Sequence, residues 1–154
     1  SIALRRQLHG RLPAALAASN ERILAALEAG RTVADVPPEL TPLYRPSVQP
    51  YLISWFRHDP LAVMARLDLP CLIVQGDTDI QIGPADARAL AAANPRCQQR
   101  LIAGMNHVLK QVPDESARQI ASYGDPTLPL DPTLADVVQA FIWHASASAG
   151  GTRP

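Results

Sequence analysis

The sequence predicts an α/β fold: a parallel pair of strands with a crossover helix and a closing helix, preceded by an all-helical region. Three observations carry that expectation. Leu69 to Gln75 is a short, nearly continuous apolar run bounded by Pro70 and Gly76, the pattern of a parallel strand covered on both faces. Pro84 to Asn94 has helical composition and stops at Asn94-Pro95, before a second short strand at Arg100 to Ala103. Between about Arg31 and Arg66, Pro37, Pro38, Pro42, Pro46, Pro50 and Pro60 exclude both one long helix and a central strand.

The elements follow in order. Leu12, Leu16, Ile23, Leu24 and Leu27 recur at helical spacing, with Gly30 as the expected C-terminal stop. Ser19-Asn20 either interrupts that stretch or caps a second helix. In the proline-dense zone, Ser47 is placed to cap a helix containing Tyr51, Leu52, Trp55 and Phe56. Asp59-Pro60 reads as the N-cap and first residue of another, with Leu61, Met64 and Leu67 turned inward. After the two strands, Asp131-Pro132 opens a final helix with Leu134, Val137, Val138, Phe141 and Ile142 on one face. Residues 1–66 are thus expected as a helical region, 67–145 as the α/β part, and Ser146 to Pro154 as a small, polar, disordered tail. Strand, helix, strand and helix joined by a right-handed crossover imply a parallel sheet. A sheet of two such strands cannot bury both faces or hide its inner edge, so further strands are expected upstream.

Bulk properties exclude several classes. The 154 residues carry 14 basic and 14 acidic side chains, a net charge of +0, which gives no basic field for a phosphate backbone and no expected nucleic-acid partner. Hydrophobic content of 47% with 18% charged residues fits a globular domain. Apolar runs such as Leu72-Ile73-Val74 fall far short of the roughly 20 residues of a membrane span. No leader pattern is visible, but the sequence opens on Ser1 and not Met, so the location is left open, with the cytoplasm favoured. The two cysteines, Cys71 and Cys97, are expected as small buried hydrophobes, with a disulfide between the strand starts left open. Four histidines and two cysteines never fall at a ligand spacing, so no metal or cofactor is expected.

The chemistry lies where the strands end. Functional groups in open parallel sheets gather at the carboxyl edge, and there the chain places Gly76-Asp77-Thr78-Asp79 and Gly104-Met105-Asn106-His107. A carboxylate followed by an imidazole on successive strand ends matches the last two members of a Ser…Asp…His triad. Asp79 is the expected acid, since Gly76-x-x-Asp79 matches the usual loop; Asp77 competes for that role and otherwise caps the turn. His107 is the expected general base. No G-x-S-x-G elbow occurs in the chain. Ser47, Ser54, Ser116 and Ser122 lack its flanking glycines or its position, and none is expected to be a nucleophile. His9, His58 and His144 are read as helix-entry or exposed residues, Asn106 as a loop-orienting residue, and Lys110, the only lysine, as a solvated charge.

Pro46-Ser47-Val48-Gln49-Pro50-Tyr51-Leu52-Ile53-Ser54-Trp55-Phe56, Pro70-Cys71-Leu72-Ile73-Val74-Gln75-Gly76-Asp77-Thr78-Asp79 and Gly104-Met105-Asn106-His107-Val108-Leu109-Lys110 together resemble α/β-hydrolase carboxylesterases of the serine aminopeptidase-like group, from about residue 10 to residue 145. The resemblance implies the C-terminal part of an α/β-hydrolase fold, with Asp79 and His107 as triad acid and base. It implies a helical cap over residues 1–66, with Tyr51, Trp55 and Phe56 as candidate substrate-pocket residues. It implies a small-molecule ester as substrate of the intact enzyme, with the nucleophile elbow ahead of the cap; a separately encoded N-terminal half is a partner only under the complementation alternative. A serine peptidase or amidase with the same triad is an alternative, and so is a non-catalytic remnant acting as an interaction or complementation module.

Overall fold

The computed structural model describes Arg5, Leu8 and residues 12–150, with side chains described through Ala147. The chain is mixed α/β and divides into two compact units between Asp59 and Pro60.

The first unit is helical. Helix α1, Ala14–Glu28, buries Ile23, Leu24 and Leu27. The pattern is an i, i+1, i+4 stripe on one face, and it meets Leu40, Tyr44 and Leu52 in a single core. Ser19-Asn20 does not interrupt this helix. Asn20 is buried because its Oδ1 accepts the Tyr44 hydroxyl at 2.6 Å, so a polar residue is tolerated inside the apolar stripe. Burial, first, and the nearby Glu21 push the Tyr44 phenol up to about 12, keeping it a donor at neutral pH.

The α1 C-terminus follows the expected glycine stop. Gly30 adopts φ +75°, its N–H reaches the Leu27 carbonyl at 3.0 Å, and the Arg31 N–H reaches that of Ala26 at 2.9 Å. These are the paired bonds of a Schellman motif.

A 3-10 turn at Pro38–Leu40, helix α2 at Thr41–Tyr44 and helix α3 at Gln49–Phe56 complete the unit. Ser47 does not cap α3, whose N-cap is Val48 without a side-chain bond. Gln49 does the organising instead. Its Oε1 accepts the Val33 N–H at 2.7 Å, and its Nε2 donates to the Val33 and Tyr44 carbonyls at 2.7 and 2.8 Å. A fully buried amide thus satisfies backbone groups that the proline-rich segment leaves without a ladder.

The second unit holds the sheet. Helix α4, Pro60–Ala65, opens at the expected proline, but Leu61 lies exposed instead of inward. Strand β1, Leu72–Gly76, pairs in parallel with β2, Gln98–Ile102, from Leu72↔Gln98 to Gly76↔Ile102. Between them runs α5, Pro84–Ala93, entered through Gly83 with proline in its first turn. Asn94 ends it. Its buried amide donates to the Met64 and Leu67 carbonyls at 3.0 and 2.8 Å, and its Oδ1 accepts the Arg96 N–H at 3.1 Å, joining α4 to the crossover. Helices α6, Ser116–Tyr123, and α7, Pro132–Gly150, close the unit.

Three expectations are corrected here. The strands begin and end a little away from their expected limits, because pairing register rather than apolar content sets their ends. Helix α7 continues through Ser146 to Gly150, where the sequence reading placed a disordered tail, and it turns Leu134, Val137 and Phe141 inward while Val138 and Ile142 are exposed. Alanines such as Ala145 and the exposed Ala147 favour helix by intrinsic propensity.

The third correction concerns the cysteines. Cys71 and Cys97 are joined as a disulfide, with Cα atoms 4.6 Å apart. Each precedes a strand, and the Gln98 N–H bonds the Cys71 carbonyl at 2.9 Å, so parallel register brings the two together at the amino edge of the sheet. The Met64 sulfur lies 3.8 and 3.4 Å from the two disulfide sulfurs, as a packing contact.

Among the described residues no helix is long and apolar enough to cross a membrane, and no cluster of His, Cys, Asp and Glu could hold a metal ion.

Candidate active site

The acid turn leaves β1 at Gly76. A Cβ at this position would overlap the carbonyl of Met105, so a glycine lets the two strand ends approach. The Asp77 N–H reaches the Ile102 carbonyl at 3.2 Å, the Thr78 N–H reaches that of Met105 at 3.3 Å, and Asp77 Oδ1 accepts the Gly104 N–H at 2.7 Å. Asp77 thus ties the acid turn to the loop that follows β2.

Asp79 is held from several sides. Oδ1 accepts the backbone N–H groups of Gln81 and Ile82 at 2.7 and 3.0 Å. Oδ2 accepts Gln75 Nε2 at 3.1 Å and faces His107 Nδ1 at 3.0 Å. Gln75 also donates to the Gly76 and Ile82 carbonyls at 3.0 and 2.9 Å. Its amide orientation is therefore fixed, since a flipped amide would turn its oxygen toward three acceptors. Burial alone would raise the Asp79 pKa. The N–H bonds from Ile82 and Gln81, followed by His107 and Gln75, outweigh it and hold the carboxyl below the usual range. The carboxylate is 6% exposed against 38% for the His107 side chain, so the anion is enclosed and the imidazole opens outward.

His107 stands on a short looped-back segment. Gly104 adopts φ +74° and Leu109 φ +63°, and Met105 and Gln111 form an antiparallel bridge across it. Asn106 is the hub. Its N–H donates to the Lys110 carbonyl at 2.9 Å, its Oδ1 accepts the Val108 and Lys110 N–H groups at 3.1 and 3.0 Å, and its Nδ2 donates to Ser122 Oγ at 2.7 Å.

Lys110 is not a merely solvated charge. Its Nζ donates to the Ser122 carbonyl at 2.8 Å and to that of Asp125, placing a cation at the C-terminus of α6. The next residue on that helix, Tyr123, lays its ring beside the His107 imidazole, with centroids 6.3 Å apart and 28° between planes. Its hydroxyl accepts a bond from Gln81 Nε2 at 3.0 Å.

The structure brings Asp79 and His107 together, and of the two aspartates weighed for the acid, Asp79 is the one beside the imidazole. With Asp79 ionised, Nδ1 carries the proton, and Nε2 has no partner among the described residues. That arrangement can accept and return a proton at Nε2 while the carboxylate fixes the tautomer.

Tyr51 and Trp55 belong to the helical unit, 61% and 60% exposed and packed on each other at 5.6 Å, while Phe56 packs against that unit's core. Ser54 Oγ donates to the Tyr51 carbonyl, Ser122 Oγ to that of Gln119, and Ser116 opens α6. His144 Nδ1 donates to the Ala140 carbonyl at 2.6 Å, His58 is exposed, and His9 lies outside the described residues. Gln75, Gln81 and Tyr123 were not singled out from the sequence. Gln75 is adjacent to the Gly76-x-x-Asp79 motif, but nothing local marks Tyr123, which reaches the site from 42 residues beyond Gln81.

Fold and site together define the chain at the level of class: a mixed α/β protein whose two parallel strands bring an enclosed aspartate to an outward-facing histidine. No protein-family model, no curated protein and no solved structure matches it.

Proposed function

We propose that Asp79 and His107 are the acid and base of a Ser-Asp-His acyl-transfer site, and that the chain is the C-terminal part of an α/β-hydrolase acting on carboxylic esters. The observation that carries this reading is the 3.0 Å approach of Asp79 Oδ2 to His107 Nδ1 across 28 residues, with Nε2 left open. The order of acid then base on successive parallel strand ends supports it. So does the resemblance of the motifs around both residues to serine hydrolases.

The chemistry needs a serine hydroxyl within about 3 Å of His107 Nε2. Nε2 takes the hydroxyl proton as the oxygen attacks the ester carbonyl, and Asp79 stabilises the imidazolium that forms. The imidazolium then returns the proton to the leaving alkoxide. Water repeats the sequence on the acyl-enzyme: its proton goes to Nε2, its oxygen to the acyl carbon, and the serine leaves reprotonated. The chain has no G-x-S-x-G elbow, so the serine and the oxyanion donors come from other polypeptide, as a preceding segment or a separate chain. Half-exposed strands such as β2, with Leu101 in the open, suit a parallel pair that has more sheet to add.

The reading predicts no ester hydrolysis by these 154 residues alone. The check is turnover of a short-chain aryl ester by the purified chain against its His107→Ala variant. Equal, background-level rates agree with a nucleophile supplied from elsewhere. Turnover that disappears in His107→Ala contradicts it.

A further inference from the structure

We propose that Tyr123 is a positioning residue for His107, its ring lying along the imidazole and its hydroxyl anchored by Gln81 of the acid turn. The inference rests on the reading of Asp79 and His107 as acid and base, and adds to it what keeps the base in register.

The contacts close a circuit. Gln81 binds the acid through its backbone N–H, 2.7 Å from Asp79 Oδ1, and binds Tyr123 through its side chain at 3.0 Å. Tyr123 flanks the imidazole, and the imidazole returns to Asp79. One residue of the acid turn therefore touches both the carboxylate and the aromatic ring that flanks the base. The Asp79–His107 bond fixes one atom of the ring but leaves the imidazole free to swing about it. A flat neighbour with centroids 6.3 Å away and planes within 28° restricts that swing, within the range over which aromatic pairs attract.

The helix end that carries Tyr123 is fixed independently of the acid turn. Lys110 holds the Ser122 and Asp125 carbonyls, and Asn106 holds the Ser122 hydroxyl. Both residues belong to the segment that bears His107. The ring is thus held from the acid side by its hydroxyl and from the base side by its backbone, so a displacement of either loop moves it.

Holding the ring matters for proton transfer because a general base works only within hydrogen-bond reach and in the correct tautomer. An imidazole that leaves Asp79 can place its proton on Nε2, the atom that must be free to accept. Tyr123 makes no hydrogen bond to either imidazole nitrogen; it acts through the plane of the ring.

The test is the tautomer of His107, read from the Nδ1 and Nε2 shifts of the 15N-labelled chain in alkaline buffer, where imidazoles are neutral. The expected wild-type state is the Nδ1-protonated form. Asp79→Ala should abolish that preference. Tyr123→Leu should lower the ratio of Nδ1- to Nε2-protonated forms roughly two- to tenfold, the range of an aromatic pair. Tyr123→Phe and Gln81→Leu each break the same bond, so each should give a smaller drop and the double variant no more than either alone. His144, whose Nδ1 donates to the Ala140 carbonyl, serves as an internal reference that should not change. If Asp79→Ala changes the ratio and none of the Tyr123 and Gln81 variants does, the positioning role is overturned while the acid–base pair stands. If Asp79→Ala changes nothing, the acid–base pair itself fails. Should Tyr123→Leu not fold, Tyr123→Phe and Gln81→Leu decide alone.

Discussion

Asp79 shows how hydrogen bonds to one enclosed side chain tie its ionisation to the fold. Its carboxyl is held below the ordinary range, so the folded state favours the ionised form. A group whose folded pKa is depressed stabilises the fold above its unfolded pKa, about 3.9 for aspartate, and loses that contribution as pH falls through the folded value. The stability gap between wild type and Asp79→Asn should therefore be present at neutral pH and narrow below about pH 4. Denaturant titrations at several pH values check this; a gap that widens on acidification contradicts it. Gly76 is the second residue of consequence. Alanine there meets the Met105 carbonyl, a backbone atom that cannot rotate away, so Gly76→Ala should cost roughly 1–3 kcal/mol and separate the acid turn from the base segment. An unchanged denaturation midpoint would remove that claim.

At the scale of elements, the sheet is fastened at both ends by different means. At the carboxyl edge, Asp77 bonds Gly104 and Asn106 gathers the His107 segment. At the amino edge the Cys71–Cys97 disulfide closes a 26-residue stretch that contains β1 and the crossover helix. A loop of that length predicts about 3 kcal/mol of stabilisation, so Cys71→Ser with Cys97→Ser should lower unfolding free energy by that order. Equal midpoints with and without reductant would contradict it.

The disulfide also marks where sequence reading stops. Both cysteines were legible as lying beside strands, but their approach depends on the register of β1 against β2, which local composition does not encode. The same holds for Asn20, whose partner Tyr44 lies 24 residues away and makes a potential break into ordinary helix, and for Gln49, which replaces Ser47 as the organiser of α3. What was legible is what local physics decides. Gly30 ends α1 because it alone accepts φ +75° cheaply, and Pro84 opens α5 because its ring fits a first turn. Of the candidate site, the aspartate and histidine were legible because each stands three residues after a glycine that ends or follows a short strand, Gly76 for Asp79 and Gly104 for His107. Gln75, Gln81 and Tyr123 were not, because their roles exist only once α6 folds back on the base segment.

For the molecule as a whole, 14 basic and 14 acidic side chains leave no net field toward a phosphate backbone. The parallel pair is incompletely covered, and on the proposed reading its histidine lacks a nucleophile to serve. One arrangement answers both: further strands that carry a serine elbow to His107 Nε2. The most direct measurement uses the longest in-frame polypeptide whose coding sequence contains that of these residues, assayed on short-chain esters and aminoacyl-arylamides with and without His107→Ala. The account predicts a G-x-S-x-G segment ahead of the present sequence, ester turnover, and a loss of at least about 10³-fold in the variant. A reading frame without such a segment and without a separate chain that restores activity, or turnover indifferent to His107, would contradict it.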